Sequence, residues 1–415
     1  MPQSWPSAGA RLLTLGALCL STTLTAQPWS GFSPYERDQE SWQFWDAPTM
    51  RQSGDLTRFT YQGWTSAGDI LRQTRFANDE ISPLVIDVGM WVFVLPHPAI
   101  WMRNEWQRDL LRAEGIDSRS DARFLWSHST EHETYVRGVT DEQLTDVRAS
   151  NPGQYTRLGS VRYEATQQLV SELSEASYFN YGVPRYRFAK AYLTLQDTIS
   201  LYRCTDDDFT LPGDESERSQ DIIGHDCLHW TWSLHGDSSD EHERYIGYDD
   251  LDSEARDYLD RALLLSLINF VDTQYFDETN QQEANRLSFE PTPFGRRFGW
   301  HHLRWQQGMQ VGWDVYWQQN DEQNLPAARI SVIDYPVSPG TFTGRLAGWQ
   351  QPRDLNFRTE SNDAGWAIEL RYSQPVMQRL RLTGDWYYKS DGWYPGVQHL
   401  DSGRGWRLGA EVRLF

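Results

Sequence analysis

The chain has 415 residues, 23% of them charged and 39% hydrophobic, which suffices for one large domain or two with a packed core. Its formal net charge of −20 argues against nucleic acid, whose phosphates it would repel, and against simple adsorption to anionic lipid. Aromatic residues are abundant, with 20 Trp, 20 Tyr and 17 Phe, a content suited to carbohydrate surfaces, membrane interfaces or a large aromatic core.

Residues 1–26 read as a secretory signal peptide. Arg11 supplies positive charge, residues 12–20 (LLTLGALCL) form an apolar run too short to span a bilayer, and small residues up to Ala26 form a cleavage region. Export implies an oxidising compartment, and after cleavage Cys204 and Cys227 are the cysteines that remain. A disulfide between them is therefore expected, worth about 3 kcal/mol through the loop it closes.

Residues 27–80 are polar and aromatic and predict loops, with a strand at 58–64. Residues 81–102 are apolar but broken by Asp87, Pro96 and Pro98, which predicts a buried strand or helix segment rather than a membrane helix. An amphipathic helix follows from 104 to about 114 and stops at Gly115. His128 and His132 then stand at helical spacing with Glu131 between them, either a solvated charged turn or a second group of ligands. Helices are predicted over 162–179, 186–202, 221–235 and 253–276, with 237–252, including His242, as a charged and exposed linker.

After residue 280 the period changes from helical to two. Met309, Val311, Trp313, Val315 and Trp317 alternate with more polar neighbours. Similar runs occupy 328–335, 342–349, 366–373, 379–388 and 406–415, separated by turn residues such as Asp391-Gly392. The expected fold class is α+β: a signal peptide (1–26), a mainly helical domain (27–280) and a C-terminal antiparallel β-meander (281–415) of about six to eight strands.

Residues 221–237 (DIIGHDCLHWTWSLHGD) gather three of the ten histidines. On a helix His225 and His229 share a face, and His235 follows six residues later. These offsets resemble the metzincin zinc-peptidase motif H-E-x-x-H-x-x-G-x-x-H, with Asp226 at the Glu position and Trp232 at the Gly position. The resemblance implies zinc held by His225, His229 and His235, with Asp226 activating a water against a peptide or protein substrate.

The terminal RLGAEVRLF resembles the tail of outer-membrane β-barrel proteins, with Gly409, Val412, Leu414 and Phe415 matching in kind. That resemblance implies a small outer-membrane barrel, with tryptophans such as Trp300, Trp366 and Trp386 suited to interfacial girdles. Two functions follow as expectations. One is an exported, envelope-linked, metal-dependent hydrolase; the alternative is a non-enzymatic outer-membrane or assembly protein.

A third, weaker resemblance joins His128/His132, His225/His229 and His301-His302 into the His boxes of di-iron membrane desaturases, which need several membrane-spanning helices. No Gly-x-Ser-x-Gly elbow occurs, so the sequence lends no support to serine-based hydrolysis.

Overall fold

The computed structural model describes residues 29–38, 41–43, 47–73, 96–124, 136–181, 186–206, 220–237, 240–275 and 283–413, with backbone alone for 29–43, 67–73, 180–181 and 413. The expected signal peptide, the tail residues Leu414 and Phe415, and His128 and His132 lie outside the described residues.

The architecture is α+β. Two strands open it, β1 (Trp29–Asp38) and β2 (Ser41–Gln43). Helices α1 (Met50–Gln73) and α2 (Pro96–Ala113) follow, then a small pair, β3 (Arg119–Ser120) and β4 (Val136–Arg137). Next come α3 (Asp141–Ser150), the 30-residue α4 (Pro152–Tyr181), α5 (Arg187–Cys204), α6 (Asp226–His235) and α7 (Ser253–Ser266). The chain ends in eight strands: β5 (Glu283–Thr292), β6 (Gly295–Gln306), β7 (Met309–Gln319), β8 (Asn324–Val337), β9 (Gly340–Pro352), β10 (Asn362–Met377), β11 (Leu380–Lys389) and β12 (Gly403–Arg413).

The strand expected at 58–64 is instead part of α1. Met50, Ser53, Thr57 and Tyr61 are buried and recur three and four residues apart, the helical repeat, which outweighs the strand preference of the local Thr and aromatic residues. The helix ending near Gly115 is present, and Gly115 takes φ 73°, the left-handed geometry that closes helices. It begins earlier than expected, at Pro96, inside the apolar stretch.

Helix α4 is the spine of the helical layer. Its Leu158, Val161, Leu169 and Leu173 are buried with Trp106 and Leu110 of α2 and Leu193 of α5. Each such side chain contributes on the order of 2 kcal/mol by leaving water. At Gly159 the spine meets α6. A Cβ there would lie 2.6 Å from the Asp226 carbonyl and 2.7 Å from the Trp230 nitrogen, so only glycine admits this approach. The expected disulfide is present, Cys204 to Cys227, joining the last residue of α5 to the first turn of α6.

The eight C-terminal strands form a continuous antiparallel meander. β1 adds to β12, giving the order β2-β1-β12-β11-β10-β9-β8-β7-β6-β5. The sheet therefore takes strands from both ends of the chain, which a boundary at residue 280 does not foresee. It does not close into the barrel that the terminal resemblance implied.

The edge of β5 is capped instead. Asn269 accepts from the Phe289 amide (2.6 Å) and donates to its carbonyl (3.0 Å), the Leu287 amide donates to the Val271 carbonyl (2.9 Å), and the Thr273 hydroxyl accepts from the Asn285 amide (2.9 Å). This need for a cap explains why α7 stops at Ser266 and the chain continues as short 3₁₀ turns, where one helix to 276 was expected.

Candidate functional site

The three histidines of the zinc-like motif occupy three different surroundings. His225 is the N-cap residue of α6, with extended backbone (φ −78°, ψ 121°), so it does not share a helical face with His229. His229 is fully buried beside Tyr155 (ring centroids 4.7 Å), and its Nε2 lies 3.2 Å from the Tyr155 carbonyl.

Trp232 does not break the helix as the motif's glycine would, and α6 continues to His235. Six helical residues rotate a side chain by about 240°, away from His229. His235 accordingly packs against Tyr258 (5.4 Å) and Phe357 (5.1 Å).

Asp226 is ion-paired to Arg162 (2.9 Å) and accepts from Gln107 (2.8 Å) rather than facing an open position. Among the described residues no group of three or more His, Cys, Asp or Glu side chains could hold a metal ion. These residues do not fit zinc in the arrangement the motif implies.

His242, expected on an exposed linker, is buried. The Tyr155 hydroxyl lies 2.7 Å from its Nδ1, and its Nε2 lies 2.9 Å from the Ile222 carbonyl. Burial lowers both His229 and His242 to about 3, so the two rings are neutral across ordinary pH. They tie α4 to α6 and to the 240–250 segment.

The dense chemistry lies between the helices and the sheet. Along β5 to β12, many side chains facing α1 and α4 are polar or charged, with Ala284, Leu303, Ala347, Trp349 and Ala367 among the apolar exceptions. One register row reads Arg286, His301, Asp314, Arg329, another Thr343, Arg371, Asp385, Arg407. Opposite charges alternate across strands, and the helices complete the pairing. Arg345 meets Glu175 of α4 (2.8 Å), Arg51 of α1 meets Glu369 (2.6 Å), and Arg407 meets Asp55 of α1 (2.8 Å). Burial alone would raise Glu369, but Arg51 and Arg345 hold it down to about 2. A crevice runs through this layer, with Arg58, Glu172, Arg345 and Arg371 among its walls.

At one end of the layer three residues on neighbouring strands line up. Ser288 on β5 places its Oγ 2.8 Å from His301 Nε2 on β6, and His301 Nδ1 lies 2.7 Å from Asp314 Oδ1 on β7. Arg329 on β8 donates from Nε to the other Asp314 oxygen (2.6 Å). Burial would raise Asp314, yet Arg329 and His301 hold it far below the usual carboxylate range, so it is ionised and can only accept. The proton between Asp314 and His301 therefore sits on Nδ1, leaving Nε2 to accept from the Ser288 hydroxyl. Burial, with the nearby Arg286 charge, lowers His301 to about 4 and keeps the ring neutral.

Gly299 stands opposite Ser288 in the register, and a Cβ there would press on Ser288 Oγ and approach His301 Nε2 to 2.9 Å. The sequence shows 288, 301 and 314 as residues thirteen apart, with nothing to mark them. Only the strand register brings them together. In sequence His301 and His302 form one of the His boxes, but His302 faces the other side of the sheet, between Trp300 and Trp313.

The face turned away from α1 and α4 has the opposite character. One row reads Trp313, Ile330, Leu346, Ile368, Tyr388. Ile330 is 44% exposed and Leu346 52%, and Trp317, Trp366, Trp386 and Leu408 are exposed as well. Exposed apolar side chains thus recur on neighbouring strands of one face, the grouping that marks a surface for a partner or a membrane. No helix among the described residues is long and apolar enough to cross a membrane. No family model, curated protein or solved structure matches the chain.

Proposed function

We propose that this chain is a cell-envelope protein that seats the apolar face of its β-sheet against the lipid of the outer membrane, while α1 and α4 fill the polar face. The observation that carries the reading is the inverted alternation: from β7 to β12, the charged residues concentrate on the side facing the helices, beside a small cluster of Ala347, Trp349 and Ala367, and residues facing outward are mostly apolar. That pattern belongs to sheets whose solvent is hydrocarbon on one side.

Three further features agree. The eight strands run 10 to 16 residues, against the five or six of ordinary sheets and the nine to eleven needed to cross a bilayer. The hairpin turns at one end, 307–308, 338–339 and 378–379, are all two residues long. The connections at the other end begin with the two-residue 293–294 and then lengthen to 320–323, 353–361 and 390–402. Outer-membrane strands share this asymmetry of short turns and long loops. The cap on β5 also removes the unpaired backbone groups that an edge beside lipid could not tolerate.

The test is fractionation of cells expressing the full chain. The protein should pellet with outer membranes, resist extraction by alkaline carbonate and require detergent for purification. Recovery as a monodisperse protein in aqueous buffer without detergent would contradict the proposal.

A further inference from the structure

We propose that Ser288, His301 and Asp314 form an acyl-transfer site, with Ser288 as the nucleophile toward a carboxylic ester. The proposal rests on geometry that does not depend on where the protein resides. The two contacts, 2.8 Å from hydroxyl to imidazole and 2.7 Å from imidazole to carboxylate, are those of a nucleophile, its base and the group that orients the base. The orientation is enforced rather than incidental. Arg329 fixes the Asp314 carboxylate, the carboxylate fixes the imidazole tautomer, and Gly299 leaves the space in which hydroxyl and ring meet.

A narrow cavity opens on Ser288 and His301, with Glu164, Gln167, Arg286 and Arg297 among its walls. Arg286 is its cationic corner. It is 5% exposed, it pairs with His301 across β5 and β6, and its Nε has no hydrogen-bond partner among the described residues. A buried cationic donor beside a nucleophile is placed to stabilise the oxyanion of a tetrahedral intermediate.

In the first half-reaction Ser288 Oγ bonds to the ester carbonyl carbon and its proton passes to His301 Nε2. Collapse breaks the bond to the alcohol oxygen, which leaves with that proton, and an acyl-Ser288 ester remains. In the second half-reaction a water oxygen attacks the acyl carbon and gives a proton to His301. The Ser288 oxygen then departs and takes that proton back, and the carboxylic acid is released. Asp314 stays ionised throughout, and no oxidant or further reactant is consumed.

Size and polarity bear on the ester. The space beside Ser288 is narrow and lined by charged and amide side chains, which disfavours a long hydrocarbon chain. Ser171 and Arg329 are walls of both this chamber and the larger crevice, whose Arg51, Arg58, Arg345 and Arg371 suit a polar alcohol.

The test uses the purified full chain with a fluorophosphonate probe and with p-nitrophenyl acetate. The probe should add to Ser288, located by peptide mass mapping, and acetate release should fall at least about 10³-fold in Ser288→Ala and in His301→Gln. p-Nitrophenyl palmitate should be a far poorer substrate than the acetate. Should Ser288→Ala fail to fold, labelling of the wild-type protein decides the matter alone. A folded wild-type chain that is neither labelled at Ser288 nor active on the acetate ester overturns the proposal. A folded Ser288→Ala variant that retains the wild-type rate overturns it equally.

Discussion

Asp385→Ala is expected to destabilise the folded chain by about 3–5 kcal/mol, the cost of leaving a buried charge without its partner. Asp385 is 9% exposed and stands between two guanidinium groups, Arg371 (2.5 Å) and Arg407 (2.8 Å). Arg407 is itself buried, and its remaining anchor is Asp55 on α1 (2.8 Å). Burial pushes Asp385 up, and Arg371 and Arg407 more than reverse that, holding it below the usual carboxylate range. Removing the carboxylate leaves two cations on the inner face of β10 and β12 with only Asp55 and the more distant Glu411 (3.9 Å from Arg371) to offset them.

The midpoint of denaturant unfolding measures the effect. A loss under about 1 kcal/mol would place these charges in solvent rather than in a buried layer. Replacing Arg371, Asp385 and Arg407 together by apolar residues of similar volume should cost less than the single change, because the three charges leave together and Asp55 keeps its pair with Arg58 (2.9 Å).

Leu346→Arg tests the opposite face. Leu346 sits in the row from Trp313 to Tyr388 and is 52% exposed. If lipid covers that row, an arginine near the middle of strand β9 lowers stability in the bilayer by about 2–4 kcal/mol. If water covers it, the same change stays within about 0.5 kcal/mol, as exposed substitutions usually do. Urea unfolding from phospholipid vesicles separates the two outcomes.

Much of the sheet was legible because its period is two and its turns carry Gly, Pro, Asn and Asp. Runs such as 309–317 and 366–373 fall inside β7 and β10, and their bounds lengthen by only a few residues. The pairing of Cys204 with Cys227 was legible from the expected export and the count of cysteines.

Other features needed the third dimension. β5 and β6 escaped notice because their helix-facing residues are Arg286, Ser288, Glu290, Arg297 and His301, so polarity on that face hides the usual core signal. The three-histidine motif consists of offsets, and offsets alone do not say where a helix begins or ends. His225 lies just before α6, and α6 runs on through Trp232. Closure into a barrel could not be foreseen either way, since it depends on what meets the β5 edge. Asn269 and Thr273, which cap that edge, look like ordinary loop residues in sequence.

The central claim is that hydrocarbon solvates the outer face of this sheet. Brominated phospholipids, with bromine along the acyl chain, quench tryptophan that touches the bilayer interior. In vesicles of such lipid the full chain should lose a large part of its tryptophan emission through Trp317, Trp366 and Trp386 on the outer face, and Leu346→Arg should restore part of it. Emission unchanged by bromine at any depth would contradict the account, because these side chains would then be facing water or another protein.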